Sequence, residues 1–224
     1  MTRERFWVWF GPIVLGELVG QLFDVTLLDY VFKPILVPAL LLYLYLNTRN
    51  AGTAFTRLVG AGLSFSWLGD VILLFSDRSE LFFAAGLGAF LIAHLFYIAA
   101  YIRSVRGAPG EAFFRRRPGW LLPFLLLFAG LYGLLYPALG SMRIPVLFYT
   151  ATILLMAVVA LNRKYRVSEA SFYPIFVGVL LFILSDSLLA FNKFLVPLPY
   201  SGVFVMSTYI AAQYLIVEGA IARA

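Results

Sequence analysis

The sequence contains no cysteine and a single histidine, His94, in 224 residues, and only 12% of its residues are charged. Without cysteine there can be no disulfide, no thiolate metal site and no sulfur nucleophile. One imidazole also excludes the three-histidine zinc centre found in several membrane hydrolases. A G-x-S-x-G elbow, a Walker loop and a dinucleotide fingerprint are missing as well. Any chemistry must come from carboxylates, hydroxyls, amides, a few lysines and arginines, and that one imidazole. The expectation is therefore no metal and no cofactor.

What the chain has in quantity is apolar surface: 62% of its residues are hydrophobic and the mean hydropathy is +0.93. A soluble domain of this length cannot bury so much, so lipid must be the solvent for most of it. At roughly 20 residues per crossing, apolar runs fall at residues 6–23, 31–46, 54–75, 81–102, 120–139, 144–161, 172–191 and 201–221. This pattern predicts an all-α membrane protein, a bundle of eight transmembrane helices forming one integral domain over residues 1–224. Residues 1–16 have the basic front and apolar run of a signal peptide, but no small-residue cleavage site follows. The run continues instead into Glu17, Gln21 and Asp24, so it reads as a retained first helix.

The net charge of +6 and isoelectric point near 9.7 fit membrane topology better than nucleic-acid binding, because the basic residues lie between apolar runs. With eight crossings, thirteen lysines and arginines fall on one side and only Lys33, Arg78, Arg143 and Lys193 on the other. The positive-inside rule then puts both termini in the cytoplasm, and the expected location is a bacterial inner (plasma) membrane. The longest connection, residues 103–119, separates helices 1–4 (residues 1–102) from helices 5–8 (residues 120–224). Its run Arg115, Arg116 and Arg117 is expected to contact anionic lipid.

The two halves share a short pattern. Gly62 precedes Asp70 by eight residues and Phe75 follows it by five; Gly178, Asp186 and Phe191 repeat that spacing. A parallel 4+4 repeat is one reading. The pattern also singles out the carboxylates least expected in such helices, since an acid at bilayer depth is costly and reads as functional by default. Asp70 and Asp186 share a level in the outer half, close to that of Lys33. Glu17, Gln21 and Asp24 follow i, i+4, i+7 spacing and turn one polar stripe to the same half. Lys193 and Asn192 follow Asp186 toward the outer mouth, and Glu17, Gln21, Asp24 and Asn192 are expected to line a polar cavity. His94 and Gln213 lie deeper; Tyr97 shares a face with His94 and Tyr209 lies one turn from Gln213, as candidates for a cavity floor or for hydrogen bonds between helices.

Several segments together resemble the YhhN-like lysoplasmalogenase family: Lys33-Pro34, Leu68-Gly69-Asp70, the series Gly86, Phe90, His94 and Tyr97, Ser185-Asp186 with Leu189-Ala190 and Phe194, and Tyr209 with Ala212-Gln213-Tyr214-Leu215-Ile216. The order of these motifs matches, from the second helix to the C-terminus. The resemblance implies an integral membrane hydrolase that cleaves the vinyl ether bond of lysoplasmalogens to a fatty aldehyde and a glycerophospho-base. It also implies paired acids at Asp70 and Asp186, with polar positions at Lys33, His94, Tyr209 and Gln213.

The residues suit that chemistry. Vinyl ether hydrolysis needs an acid, a base and a stabilising negative charge, which two carboxylates in unlike surroundings supply. One of Asp70 and Asp186 is expected as acid and the other as carboxylate. Lys33 or Lys193 would hold the lipid phosphate, helix 1 acids would face an ammonium headgroup, and the chain would run inward past Phe90, His94 and Tyr97. A proton-coupled transporter of lipids or small molecules could use the same buried acids. An intramembrane aspartyl protease fits less well, since Trp67 stands where the first glycine of G-x-G-D belongs and Pro38-Ala39-Leu40 precedes both aspartates.

Overall fold

The computed structural model describes residues 1–223. It is helical, with no strand among those residues. The long helices are α1 (Arg3–Phe23), α2 (Thr26–Thr48), α3 (Ala54–Leu73), α4 (Glu80–Ser104), α6 (Leu121–Leu135), α7 (Arg143–Leu161), α8 (Glu169–Phe194) and α9 (Ser201–Ile221); a one-turn helix, α5 (Phe113–Arg116), lies between α4 and α6. The long helices fall on the eight apolar runs. Seven segments are long and apolar enough to cross a membrane, with the 3-10 turns around α6 extending that one to Pro118–Ala138. Helix α3 is not among them: Thr56, Arg57, Ser64, Ser66 and Asp70 dilute its apolar content.

The start of α1 meets the end of α9, where Arg3 pairs with Glu218 and Tyr43 of α2 donates to the other Glu218 oxygen at 2.8 Å. Met1 donates to Asn47, at the end of α2, at 3.2 Å. Both ends of the described chain therefore lie at one end of the bundle. Phe6 and Phe10 are fully buried, so α1 is a packed member of the bundle.

Two helix pairs run in closest contact, α3 with α4 and α8 with α9. Lipid offers little hydrophobic drive for helices to associate, so small residues that let backbones approach must provide the packing. At Gly62 a Cβ would collide with the Tyr97 ring at 2.6 Å, and at Gly178 with the Ala212 carbonyl at 2.8 Å. These are the two glycines singled out by their spacing to the aspartates.

Prolines position α2 against α3. Pro38 has no N–H to give the carbonyl of Pro34 one turn earlier. The indole N–H of Trp67 takes up that oxygen at 2.9 Å, fixing α2 beside α3 one turn from Asp70. The connection after α4 is docked rather than free. Phe113 is buried with Leu161 and Phe172 of α7 and α8, and the Phe114 N–H donates to Asn162 at 3.3 Å. Of the three consecutive arginines, Arg116 pairs with Glu111 at 3.2 Å.

Candidate active site

Asp70, near the end of α3, is 3% exposed. Its Oδ2 accepts from the Tyr209 hydroxyl at 2.7 Å, and the Gln213 amide donates to that hydroxyl at 3.2 Å. The Tyr97 hydroxyl donates to the amide oxygen of Gln213 at 2.7 Å. The series Tyr97, Gln213, Tyr209, Asp70 runs through α4, α9 and α3 inside the bundle. A buried polar group must be paired or it costs free energy, and this series pairs four of them.

Asp186, in the middle of α8, is half-buried, and its Oδ2 accepts from the Tyr149 hydroxyl of α7 at 2.6 Å. The Ser185 hydroxyl donates to the Val205 carbonyl at 2.9 Å and pins α8 to α9 one residue before the acid. Between the two acids stand aromatic side chains. His94 meets the Tyr149 ring at 5.3 Å and the Phe182 ring at 4.9 Å, both edge-on. Phe182 meets the Tyr209 ring at 5.5 Å. The two acids thus stand at either end of a series of touching rings, and no hydrogen bond joins them among the described residues.

Their access to open space differs. Asp186 and Tyr149 line a narrow apolar slot between α4, α6, α7 and α8, walled by side chains such as Phe83, Leu135, Ile183 and Leu189. Across Leu189 lies a polar vestibule of about 680 Å³ containing Gln21, Asp24, Lys33, Asp77 and Asn192. A further hollow of about 380 Å³ continues around Lys33 with Asp24, Asp29, Asp77 and Arg78. Leu189 belongs to both the slot and the vestibule, so an apolar space and a charged one meet next to Asp186.

Several expectations from the sequence need correction. Glu17 lies beneath the vestibule wall rather than on it. It is fully buried, one oxygen accepts from Gln21 at 3.2 Å, and the other has no partner. Lys193 does not enter the vestibule; its ammonium sits 5.2 Å from the ring of Phe83, over the slot. The inward path past Phe90, His94 and Tyr97 is filled. Phe90 packs on Gly69, Tyr97 on Gly62, and His94 is fully buried with neither ring nitrogen partnered. The apolar space runs along Asp186 and α6 instead. Gln21, Asp24, Lys33 and Asn192 do line the vestibule, and Asn192 also accepts from the Leu198 N–H at 2.9 Å, holding the turn into α9. No group of acids and histidine suited to a metal ion occurs among the described residues.

The match to known proteins covers this site. The model of the YhhN family matches residues 28–220, which include Lys33, Asp70, Tyr149, Asp186, Tyr209 and Gln213. This chain belongs to the YhhN family. Among its relatives, the lysoplasmalogenase TMEM86A of Bos taurus is 34% identical over 194 residues, covering 83% of this chain and 75% of that protein. The lysoplasmalogenase TMEM86B of Homo sapiens is 32% identical over 186 residues, covering 83% and 73%. A lysoplasmalogenase of Mycobacterium tuberculosis is 32% identical over 139 residues, covering 61% and 50%. No solved structure matches the chain. With seven segments long and apolar enough to cross a membrane, the YhhN chain is an integral, multi-pass membrane protein. The polar stripe of α1, Glu17 to Asp24, lies before the matched stretch, so that vestibule wall is not part of the family match. Sequence reasoning missed Tyr149, one tyrosine beside Thr150 and Thr152 in a largely apolar helix, whose only signal was a hydroxyl at a depth comparable to that of Asp186.

Proposed function

We propose that this protein is a membrane hydrolase that cleaves the vinyl ether bond of lysoplasmalogen-type lysophospholipids, releasing a fatty aldehyde and a glycerophospho-base by carboxylate acid–base catalysis. The observation that carries this reading is Asp186: an acid held by Tyr149 on the wall of an apolar slot, one side chain from a charged vestibule. A lysolipid is itself divided in this way, with an apolar chain, a reacting ether at the junction and a charged headgroup. The relatives carry lysoplasmalogenase in their names.

Asp186 acts as the acid because it reaches the slot where the chain lies. It gives its proton to the alkene carbon distal to oxygen, and the resulting oxocarbenium ion is captured by water. Water addition returns a proton to the Asp186 carboxylate, and the neutral hemiacetal then breaks its bond from carbon to the glycerol oxygen, which takes up the hydroxyl proton, giving aldehyde and alcohol with one water consumed. Asp70 contributes negative charge across the aromatic series, held in orientation by Tyr209 and Gln213. Stabilising developing charge with preorganised groups is commonly the largest single contribution to catalysis. Lys33 holds the phosphate as a point charge, and the vestibule acids Asp24 and Asp77 face the ammonium of the headgroup. His94 packs the wall between the two acids, and Lys193 stands at the slot mouth.

Eight crossings with both termini cytoplasmic complete the reading, placing the vestibule on the outer side, and Arg115, Arg116 and Arg117 contact anionic lipid. The test is incubation of the detergent-purified protein with chain-matched vinyl ether, alkyl ether and acyl lysolipids. Selective loss of the vinyl ether lipid with release of aldehyde is expected. Loss of the acyl lipid alone, or of none, rejects the assignment. Turnover in detergent also separates hydrolysis from transport, which has no meaning without a sealed membrane.

A further inference from the structure

The end of the bundle opposite the vestibule holds a buried cation with no acid beside it among the described residues. Arg163, two residues beyond α7, is fully buried. Its Nε donates to the Ser104 hydroxyl at 2.9 Å and its Nη2 to the Ser171 hydroxyl at 2.8 Å, while Nη1 has no partner. Both hydroxyls pass their own protons to backbone carbonyls, Ser104 to Tyr101 at 2.7 Å and Ser171 to Gly219 at 2.8 Å. The guanidinium also lies 5.7 Å from the Phe55 ring and 5.3 Å from that of Tyr101. Among the described residues no carboxylate pairs with it. Burial, with the charge of nearby Arg223, brings its pKa down to about 10, so it stays cationic at neutral pH. Burying an unpaired charge is expensive, and hydroxyls and rings offset only part of that cost.

Beside it lies a cavity of about 180 Å³ lined by Thr53, Ala54, Phe55, Arg103, Ser104 and Arg223. None of these is acidic. Three of them open helix α3, whose capping box pairs the N–H groups of Thr53 and Thr56 with each other's hydroxyls. That leaves the Ala54 and Phe55 N–H groups of the first turn without an intrahelical partner, at the positive end of the helix dipole. Arg223 donates to the Ser104 carbonyl at 2.9 Å, and Ser104, bound to Arg163 on its inner side, forms part of the cavity wall. Two wall arginines, an unpaired buried guanidinium behind Ser104 and Phe55, and a helix N-terminus therefore converge on one hollow.

We propose that this cavity, at the opposite end of the bundle from the hydrolase site, binds a phosphate group, carried either by an anionic lipid of the cytoplasmic leaflet or by a free phosphate ester. Arg103 and Arg223 contact its oxygens, the α3 N-terminus supplies backbone donors, and Arg163 supplies charge from beneath. Occupancy ties together α3, α4 and α9, the helices that carry Asp70, Tyr97, Tyr209 and Gln213.

The test is thermal unfolding of the full chain in neutral detergent. It is titrated with sodium phosphate against sodium chloride of equal ionic strength, and separately with micelles doped with phosphatidic acid or with phosphatidylcholine. The unfolding midpoint is expected to rise by at least about 2 °C at saturation. That rise should fall by half or more in Arg103→Gln/Arg223→Gln and be kept in Arg5→Gln/Arg49→Gln, which removes equal basic charge from exposed positions that do not line the cavity. Protection by inorganic phosphate identifies a free phosphate ester, and protection by phosphatidic acid alone identifies a lipid headgroup. Phenylglyoxal labelling of the unsubstituted protein, read by mass spectrometry, gives a second measure. The ligand that protects should slow modification of Arg103 and Arg223 but not of Arg5 and Arg49. No protection by either ligand, protection undiminished in the double variant, or labelling that the ligand leaves unchanged overturns the proposal.

Discussion

Asp70 and Asp186 start from similar sequence and end in different surroundings. Each follows a glycine by eight residues in a helix that packs tightly on its neighbour. Yet Asp70 closes a four-member hydrogen-bond series inside the bundle, whereas Asp186 has one tyrosine and the wall of a slot. The difference comes from the helices on either side. Asp70 is covered by α9, which brings Tyr209 and Gln213. Asp186 faces α6 and α7, which bring apolar side chains and a gap. Matching positions in the chain thus yield one acid fixed by its partners and one exposed to whatever fills the gap, the asymmetry that acid–base catalysis needs.

The sharpest way to break this comparison is to neutralise each acid in turn. Asp186→Asn is expected to lower aldehyde release by about 100-fold or more, the usual share of general acid catalysis, with the thermal midpoint nearly unchanged. Asp70→Asn should also slow release, but with a clear loss of stability, because the Tyr209 hydroxyl loses its charged acceptor. If instead Asp70→Asn abolishes turnover at full stability and Asp186→Asn does neither, the roles are reversed.

The tyrosines give the next largest contrast. Tyr209→Phe leaves Asp70 buried without its donor and should cost about 1 to 3 kcal/mol of stability, measured by denaturant unfolding in mixed micelles. Tyr149→Phe should cost less than Tyr209→Phe, since water can enter the slot to replace the lost hydroxyl, but it should reduce kcat by several-fold. Equal stability losses would mean that both acids are equally enclosed.

Lys33→Met tests the vestibule rather than the acids. It should raise KM about tenfold for a phosphate-bearing substrate, the loss of a charge-assisted contact of roughly 1.4 kcal/mol, with kcat little changed. The smallest effect is expected from Trp67→Phe, which leaves the Pro34 carbonyl unpaired and should cost about 1 kcal/mol, seen as a modest fall in the unfolding midpoint.

The helices and both acids were legible because apolar runs are long and carboxylates within them are rare. Tyr209 and Gln213 could be found for the same reason: one turn apart, they are polar groups at lipid depth. Other features were hidden. The slot depends on how α6 sits against α8, and an α6 whose one polar side chain is Tyr132 gives no period that says which face turns inward. Arg163 is a basic residue at a helix end, where charge balance across the membrane already accounts for it; only full burial distinguishes it from its half-buried basic neighbours Lys164 and Arg166. His94 stood out by being the only histidine, but its surroundings are rings rather than partners, and spacing alone does not reveal that.

The bond from Trp67 to Pro34 has a consequence for how the site can move. Since Pro38 withholds the backbone donor, this bond couples α2 to α3 beside Lys33 on one helix and a turn from Asp70 on the other. A headgroup that draws Lys33 outward must carry α3 with it or break this link, so docking at the surface and the setting of the interior acid behave as one mechanical event.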